Sequence, residues 1–136
     1  MDCIFCQIVR GDLPAHRVYE DANAVAFLDI HPMVDGHTLV IPKVHIERFA
    51  DMTPELSGKV FQTVHLVARR IAQALEVPAF NIGFNDGRTA GQAVPHLHFH
   101  IIPRFPNDGG GSMHSIVHLP QKRPLEEICQ LIAHAQ

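Results

Sequence analysis

The sequence predicts an α+β domain: an antiparallel sheet of about five strands, with one long helix and shorter flanking helices packed against it. Three observations lead there. Short apolar runs bounded by turn residues recur along the first hundred residues. A single stretch, Pro54 to about Leu75, carries apolar residues at the helical period. Near its end the chain alternates strictly between polar and apolar side chains, at His96-Leu97-His98-Phe99-His100.

Ile4, Phe5, Ile8 and Val9 form a short helical pattern that stops at Gly11, a glycine C-cap. Strands follow at Arg17 to Glu20 and Ala24 to Leu28, with Asp21-Ala22-Asn23 as their turn. After a loop over Pro32 to Gly36, Thr38 to Ile41 reads as a buried strand ended by Pro42, and His45 to Phe49 as a brief helical turn. Thr53 caps the long helix, Pro54 suits its first position and Glu55 complements its dipole. Leu56, Val60, Val64, Val67, Ala68, Ile71 and Leu75 make its apolar stripe, and Val77-Pro78 stops it. Two more strands are expected, Phe80 to Asn85 and His96 to Pro103, joined by a Gly-rich loop. A last helix is expected from Pro124 to Ala133, with Leu125, Ile128, Cys129 and Ile132 turned inward.

At 136 residues, 46% hydrophobic and 18% charged, the chain suits one folded domain over 1–136. Its core is expected over about 3–104, with a loop and the C-terminal helix over 105–136. A net charge of -3 argues against nucleic acid as a partner. The N-terminus has no signal-peptide character, no run approaches a membrane span, and three cysteines are too few for a secreted disulfide framework. A cytoplasmic protein without a membrane partner is expected.

Eleven histidines match eleven lysines plus arginines in number, which makes their placement informative. His96, His98 and His100 share one face of a strand, each about 6–7 Å from the next. Leu97, Phe99 and Ile101 take the other face, under the long helix. From the residues alone the face reads as a solvated polar surface, a metal centre or a site of nucleophilic catalysis by imidazole. The glycines of Asn85-Asp86-Gly87-Arg88-Thr89-Ala90-Gly91-Gln92 permit N–H groups to turn toward an anion beside the middle histidine. The sequence contains neither a Walker A loop nor a dinucleotide fingerprint.

His96-Leu97-His98-Phe99-His100-Ile101-Ile102 resembles the signature of the histidine triad (HIT) superfamily of nucleotide hydrolases and transferases. Tyr19-Glu20-Asp21, Ala26-Phe27-Leu28-Asp29, Gly36-His37-Thr38-Leu39-Val40-Ile41-Pro42-Lys43 and Gly91-Gln92 resemble its other blocks, in the same order. The resemblance runs from Cys3 to Arg104 and implies a HIT-like fold. It also implies attack by His98 on the α-phosphorus of a purine nucleotide, giving a covalent nucleotidyl-histidine. His100 would contact phosphate oxygens or the leaving group, His96 would fix the strand, and His37 would stand beside the first triad histidine. Asp29 would accept from the ribose hydroxyls. Phe5, Ile8, Phe27 and Ile30 would wall the base, while Asn85, Gln92 and the Val94 N–H would lie about the phosphate. The substrate class implied is a nucleoside phosphoramidate or a dinucleoside polyphosphate. A homodimer joined through its sheets is implied as well. Ala93 departs from the pattern, standing where a Ser or Thr hydroxyl commonly assists the leaving group. Two readings from other classes remain beside this one: a nucleotide-binding adaptor with little turnover, and a metal-dependent hydrolase using the histidine strand.

Cys3-Ile4-Phe5-Cys6 lacks the strand-to-helix context of a redox pair and suggests half of a structural zinc site. The resemblance supplies the other half, His45 and His96, which would close a tetrahedral site with no position open for chemistry. No cofactor is then required for catalysis.

Overall fold

A computed structural model describes residues 3–136; Met1 and Asp2, the start of the expected 1–136 unit, lie outside the described residues. Five strands form one antiparallel sheet: β1 (Arg17–Glu20), β2 (Ala24–Leu28), β3 (Thr38–Pro42), β4 (Ala79–Gly83) and β5 (Phe99–Arg104). Their order across it is β1-β2-β3-β5-β4, which leaves β4 at an edge. The helices are α1 (Ile4–Arg10), α2 (Pro54–Leu75) and α3 (Leu125–Ala133). The α+β class and the five-stranded sheet are as expected. No helix among the described residues is long and apolar enough to cross a membrane.

Local chemistry accounts for the element boundaries. Asp21 Oδ1 accepts from the N–H groups of Asn23 and Ala24 at 2.8 and 2.9 Å, which turns β1 into β2. Its other oxygen accepts from Thr63 Oγ1 at 2.7 Å and ties the hairpin to α2. Gly11 ends α1 at φ +85°, and the Arg17 guanidinium donates to the carbonyls of Ile8 and Val9 at the same helix end. Thr53 Oγ1 accepts from Leu56 N–H at 3.1 Å and starts α2.

Strand alternation divides the core in two. Ala24, Ala26, Val40, Phe99 and Ile101 face Val60, Val64, Val67 and Ile71 of α2. Val25, Phe27, Leu39 and Ile41 face Phe5 and Ile8 of α1. Gly36 enters β3 at φ +88° so close to α2 that a Cβ there would lie 2.7 Å from Leu75 Cδ1.

Several boundaries differ from expectation. β5 begins at Phe99, not His96, because the backbone just before it pairs elsewhere. His96 N–H donates to Val94 O at 2.8 Å and Leu97 N–H to Ile46 O at 2.7 Å. β4 ends at Gly83 rather than Asn85, and the short helical turn falls at Phe49–Asp51 rather than over His45 to Phe49. α3 has the expected span but not the expected contacts. Leu125 and Ile132 are 74% and 71% exposed, Cys129 is exposed and Ile128 half-buried. An amphipathic pattern states that a stripe seeks cover without stating where the cover comes from.

Candidate active site

The register of β3 against β5 builds the site. Leu39 pairs with His100 and Thr38 with Ile101, so His37, just before β3, arrives beside the end of the histidine run. The three histidines keep a common face although only His100 lies within β5; the rings of His98 and His100 are 5.1 Å apart.

Hydrogen-bond partners fix the protons. His98 Nδ1–H donates to the His96 carbonyl at 2.8 Å, so in the neutral ring Nε2 carries the lone pair. The Phe5 ring stands edge-on to His98, centroids 5.2 Å apart, and limits its rotation. Met33 N–H donates to His37 Nδ1 at 3.1 Å, which puts the His37 proton on Nε2. From there it is donated to His100 Nδ1 at 2.9 Å. His100 therefore carries its own proton on Nε2, away from His37. The expected neighbour of His37 was the first triad histidine; the structure gives it the third, since β3 meets the run at His100.

Electrostatics keep this chain uncharged. Burial, with lesser contributions from His98 and His37, lowers the His100 pKa to about 4. Burial also lowers that of His37, against a smaller opposing effect from Asp29, whose Oδ2 lies 3.5 Å from His37 Nε2. At neutral pH His37 and His100 are thus neutral groups, each donating through Nε2–H.

The other expected site residues are placed unevenly. Asp29 stands half-buried past the end of β2, one oxygen accepting from His31 N–H at 2.9 Å. Phe5, Ile8 and Phe27 are buried together, Phe5 edge-on to Phe27 at 5.6 Å, whereas Ile30 is 75% exposed. Asn85 is exposed and lines a cleft with His100.

Gln92 is spent internally. Its Oε1 accepts from Gly87 N–H at 2.7 Å, and its amide donates to Glu47 O and Val94 O at 2.9 and 3.0 Å. These bonds make it a positioning residue of the loop. The expected anion cradle of loop glycines is closed as well: the N–H groups of Gly87, Ala90, Gly91 and Gln92 all bond within the loop. Asp86 binds it to the preceding segment by accepting from Arg48 Nε and Phe49 N–H at 3.0 and 2.9 Å.

Cys3, Cys6, His45 and His96 present four ligand atoms within 4.8 Å of one another. Cys6 Sγ is 3.3 Å from His45 Nδ1; His96 Nδ1 is 3.6 and 3.7 Å from the sulfurs of Cys3 and Cys6. A tetrahedral zinc with Zn–S of about 2.3 Å and Zn–N of about 2.0–2.1 Å would hold sulfur and nitrogen about 3.5 Å apart, so the donor set fits such an ion. His96 Nε2–H donates to Pro42 O at 2.9 Å, which turns Nδ1 toward the cysteines, as a ligand histidine requires. Burial lowers the His96 pKa and favours the neutral, ligating form. Asp29, His37 and His100 form a second group, but its two nitrogens are at hydrogen-bonding distance. With His96 turned to the cysteines, the three triad rings do not converge on one ion.

Two groups in this site escape a sequence reading. The Met33 N–H and the Pro42 carbonyl set the tautomers of His37 and His96, and both are backbone atoms, which leave no mark in residue identity.

A five-stranded sheet whose strand β5 completes a run of three histidines sharing one face, with a fourth bonded to the last, defines a histidine-triad architecture. The chain belongs to the HIT family: the HIT domain matches residues 10–107. It is 41% identical over 111 residues to adenosine 5'-monophosphoramidase hnt1 of Schizosaccharomyces pombe, covering 82% of this chain and 80% of the relative. The crystal structure of a HIT family member from Bacillus subtilis superposes with a TM-score of 0.86 at 43% identity, over 98% of this chain and 96% of that one. A Zn-bound histidine triad family protein from Mycobacterium smegmatis gives a TM-score of 0.76 at 44% identity, over 80% of this chain and 79% of that one.

Proposed function

We propose that the protein is a cytoplasmic nucleotidyl hydrolase or transferase that cleaves a substituted α-phosphate of a purine nucleotide through a covalent intermediate on His98. The observation that carries this reading is the His98 Nδ1–H bond to the His96 carbonyl, which makes Nε2 the lone-pair nitrogen of the neutral ring, beside a His100 that burial keeps neutral. The relative named an adenosine 5'-monophosphoramidase supports the substrate class.

In the first step the His98 Nε2 lone pair attacks phosphorus and the bond to the leaving group breaks. For a phosphoramidate, the departing nitrogen takes a proton from water, since Ala93 offers no hydroxyl. The imidazolium of the nucleotidyl-histidine keeps its Nδ1–H on the His96 carbonyl. In the second step water attacks phosphorus, the P–N bond to His98 breaks, and the nucleoside monophosphate departs with the surplus proton lost to solvent. His100 Nε2–H donates to a phosphoryl oxygen, held in its tautomer by His37. The Val94 N–H is a second donor, on a residue whose own carbonyl accepts from Gln92 Nε2 and His96 N–H. Asp29 receives the ribose hydroxyls, and Phe5, Ile8 and Phe27 back the base.

Cys3, Cys6, His45 and His96 hold a structural zinc that fastens α1 to the histidine run. Two chains join through β4, an edge strand that needs a cover.

The test is release of amine from an AMP-linked amine by the wild-type protein and by His98→Ala. At least a thousandfold loss in the variant is expected. Equal rates would overturn the proposal, and binding without turnover would favour an adaptor.

A further inference from the structure

Cys3 and Cys6 meet at the start of α1, where residues three apart share a face. Both are half-buried thiols, and their sulfurs lie within 4.8 Å of each other. A disulfide needs an S–S separation of about 2.05 Å and Cβ atoms about 3.5–4.5 Å apart. Cys3 has the freedom to make that approach. It is the N-cap of α1, with extended backbone at φ -71° and ψ 133°. Its carbonyl accepts from Gln7 N–H at 3.0 Å, a bond that rotation of the side chain does not touch.

The pair is joined to the catalytic run through Phe5, which lies between the two cysteines and is 7% exposed. The Phe5 ring stands edge-on to His98 and His96, with centroids 5.2 and 5.9 Å away. The same two sulfurs are 3.6 and 3.7 Å from Nδ1 of His96, a residue with no exposed surface. Cys6 also meets His45, whose ring stands T-shaped on His96 at 5.1 Å. One group of four ligand atoms thus fastens α1 to the segment after β3 and to the start of the histidine run. Sulfurs bonded to each other offer no thiolate to an ion, so a disulfide undoes that fastening.

We propose that Cys3 and Cys6 form a disulfide in place of the zinc site, and that this oxidation loosens α1 and weakens nucleotide binding. The proposal rests on the zinc and nucleotide readings above and extends them. The oxidant is hydrogen peroxide. One thiolate attacks a peroxide oxygen; an S–O bond forms, the O–O bond breaks, and the departing hydroxide takes a proton to become water. The second thiolate attacks that sulfur; the S–S bond forms, the S–O bond breaks, and a second hydroxide takes a proton. Two electrons pass from the sulfurs to the peroxide, two waters result, and the pair gives up its ion as Zn²⁺. A dithiol reverses the change.

The experiment treats the zinc-loaded Cys129→Ser protein, which lacks the third thiol, with stoichiometric hydrogen peroxide, and wild-type beside it. The peptide holding Cys3 and Cys6 should lose about 2 Da, with one zinc released per disulfide into a chromogenic indicator. Affinity for AMP should fall about fivefold or more, and hydrogen exchange over residues 3–11 should quicken about tenfold or more. Dithiothreitol with zinc should restore both. Cys3→Ser, compared with its own untreated state, should show no mass loss and no response to peroxide; a response that persists there overturns the assignment. Sulfinic or sulfonic acid without a disulfide, or a disulfide that leaves exchange and affinity unchanged, overturns the proposal, as does global unfolding by circular dichroism. Protein that holds no zinc before treatment overturns the zinc reading alone, because the mass loss still scores the disulfide. Protein that binds no AMP overturns the nucleotide reading alone, because hydrogen exchange still scores the loosening of α1.

Discussion

Replacing His37 by phenylalanine tests the hydrogen-bonded chain behind the site. His37 is 3% exposed and its Nε2–H donates to His100 Nδ1 at 2.9 Å. A phenyl ring keeps the volume and removes the donor, leaving the His100 Nδ1 acceptor without its partner. Each unsatisfied buried group costs about 1–3 kcal/mol. Without the His37 donor nothing holds the His100 proton on Nε2, and the tautomer that carries it on Nδ1 takes the donor away from the phosphate. If about 1–3 kcal/mol of transition-state stabilisation is lost, kcat/KM falls about 5- to 150-fold. His37→Gln, which retains an N–H donor, should recover part of this. The assay is single-turnover adenylylation of the protein by an AMP phosphoramidate, with thermal melting alongside to establish that the variant is folded. A folded His37→Phe variant that adenylylates within twofold of wild-type would refute the relay.

Three further outcomes follow from the same geometry. Cys6→Ser should lose about one zinc per chain by metal analysis and melt several degrees lower, as should wild-type protein stripped by a chelator; metal-free protein of unchanged stability would contradict the site. Gly36→Ala forces a side chain onto φ +88° and within 2.7 Å of Leu75, so urea unfolding should show a loss of about 2–4 kcal/mol, and a loss below about 1 kcal/mol would mean that α2 gives way easily. His100 and His37 bind protons more weakly folded than unfolded, so their contribution to stability is fully present above pH 6.5 and is lost as pH falls toward about 4. For His100 this amounts to at most about 3 kcal/mol, read as a falling urea midpoint between pH 6.5 and 4.5 that His100→Gln flattens.

What was legible in the sequence depended on the range of the interaction that decides it. Thr53-Pro54 starts α2, Gly11 ends α1 and Asp21 makes its hairpin turn, because cap and turn are settled within a few residues. The common face of His96, His98 and His100 follows from alternation alone. The partner of His37 does not: it depends on the register of β3 against β5, two strands separated by some sixty residues. The start of β5 escapes alternation for the same reason, since Ile46 claims the Leu97 N–H. Gln92 belongs to a block that resembles the family's, and that likeness does not reveal that its amide bonds to Gly87, Glu47 and Val94 within the chain. Leu125 and Ile132 show the limit of periodicity, which marks an apolar stripe and leaves open whether the same chain buries it.

The central claim is that His98 carries the nucleotide. Rapid acid-free quenching of wild-type protein with an AMP phosphoramidate, followed by peptide mass spectrometry, tests it most directly. The account predicts one adenylyl group on the peptide containing His98, forming at a rate compatible with turnover and absent in His98→Ala. Turnover without that adduct, or an adduct on another residue, would contradict it.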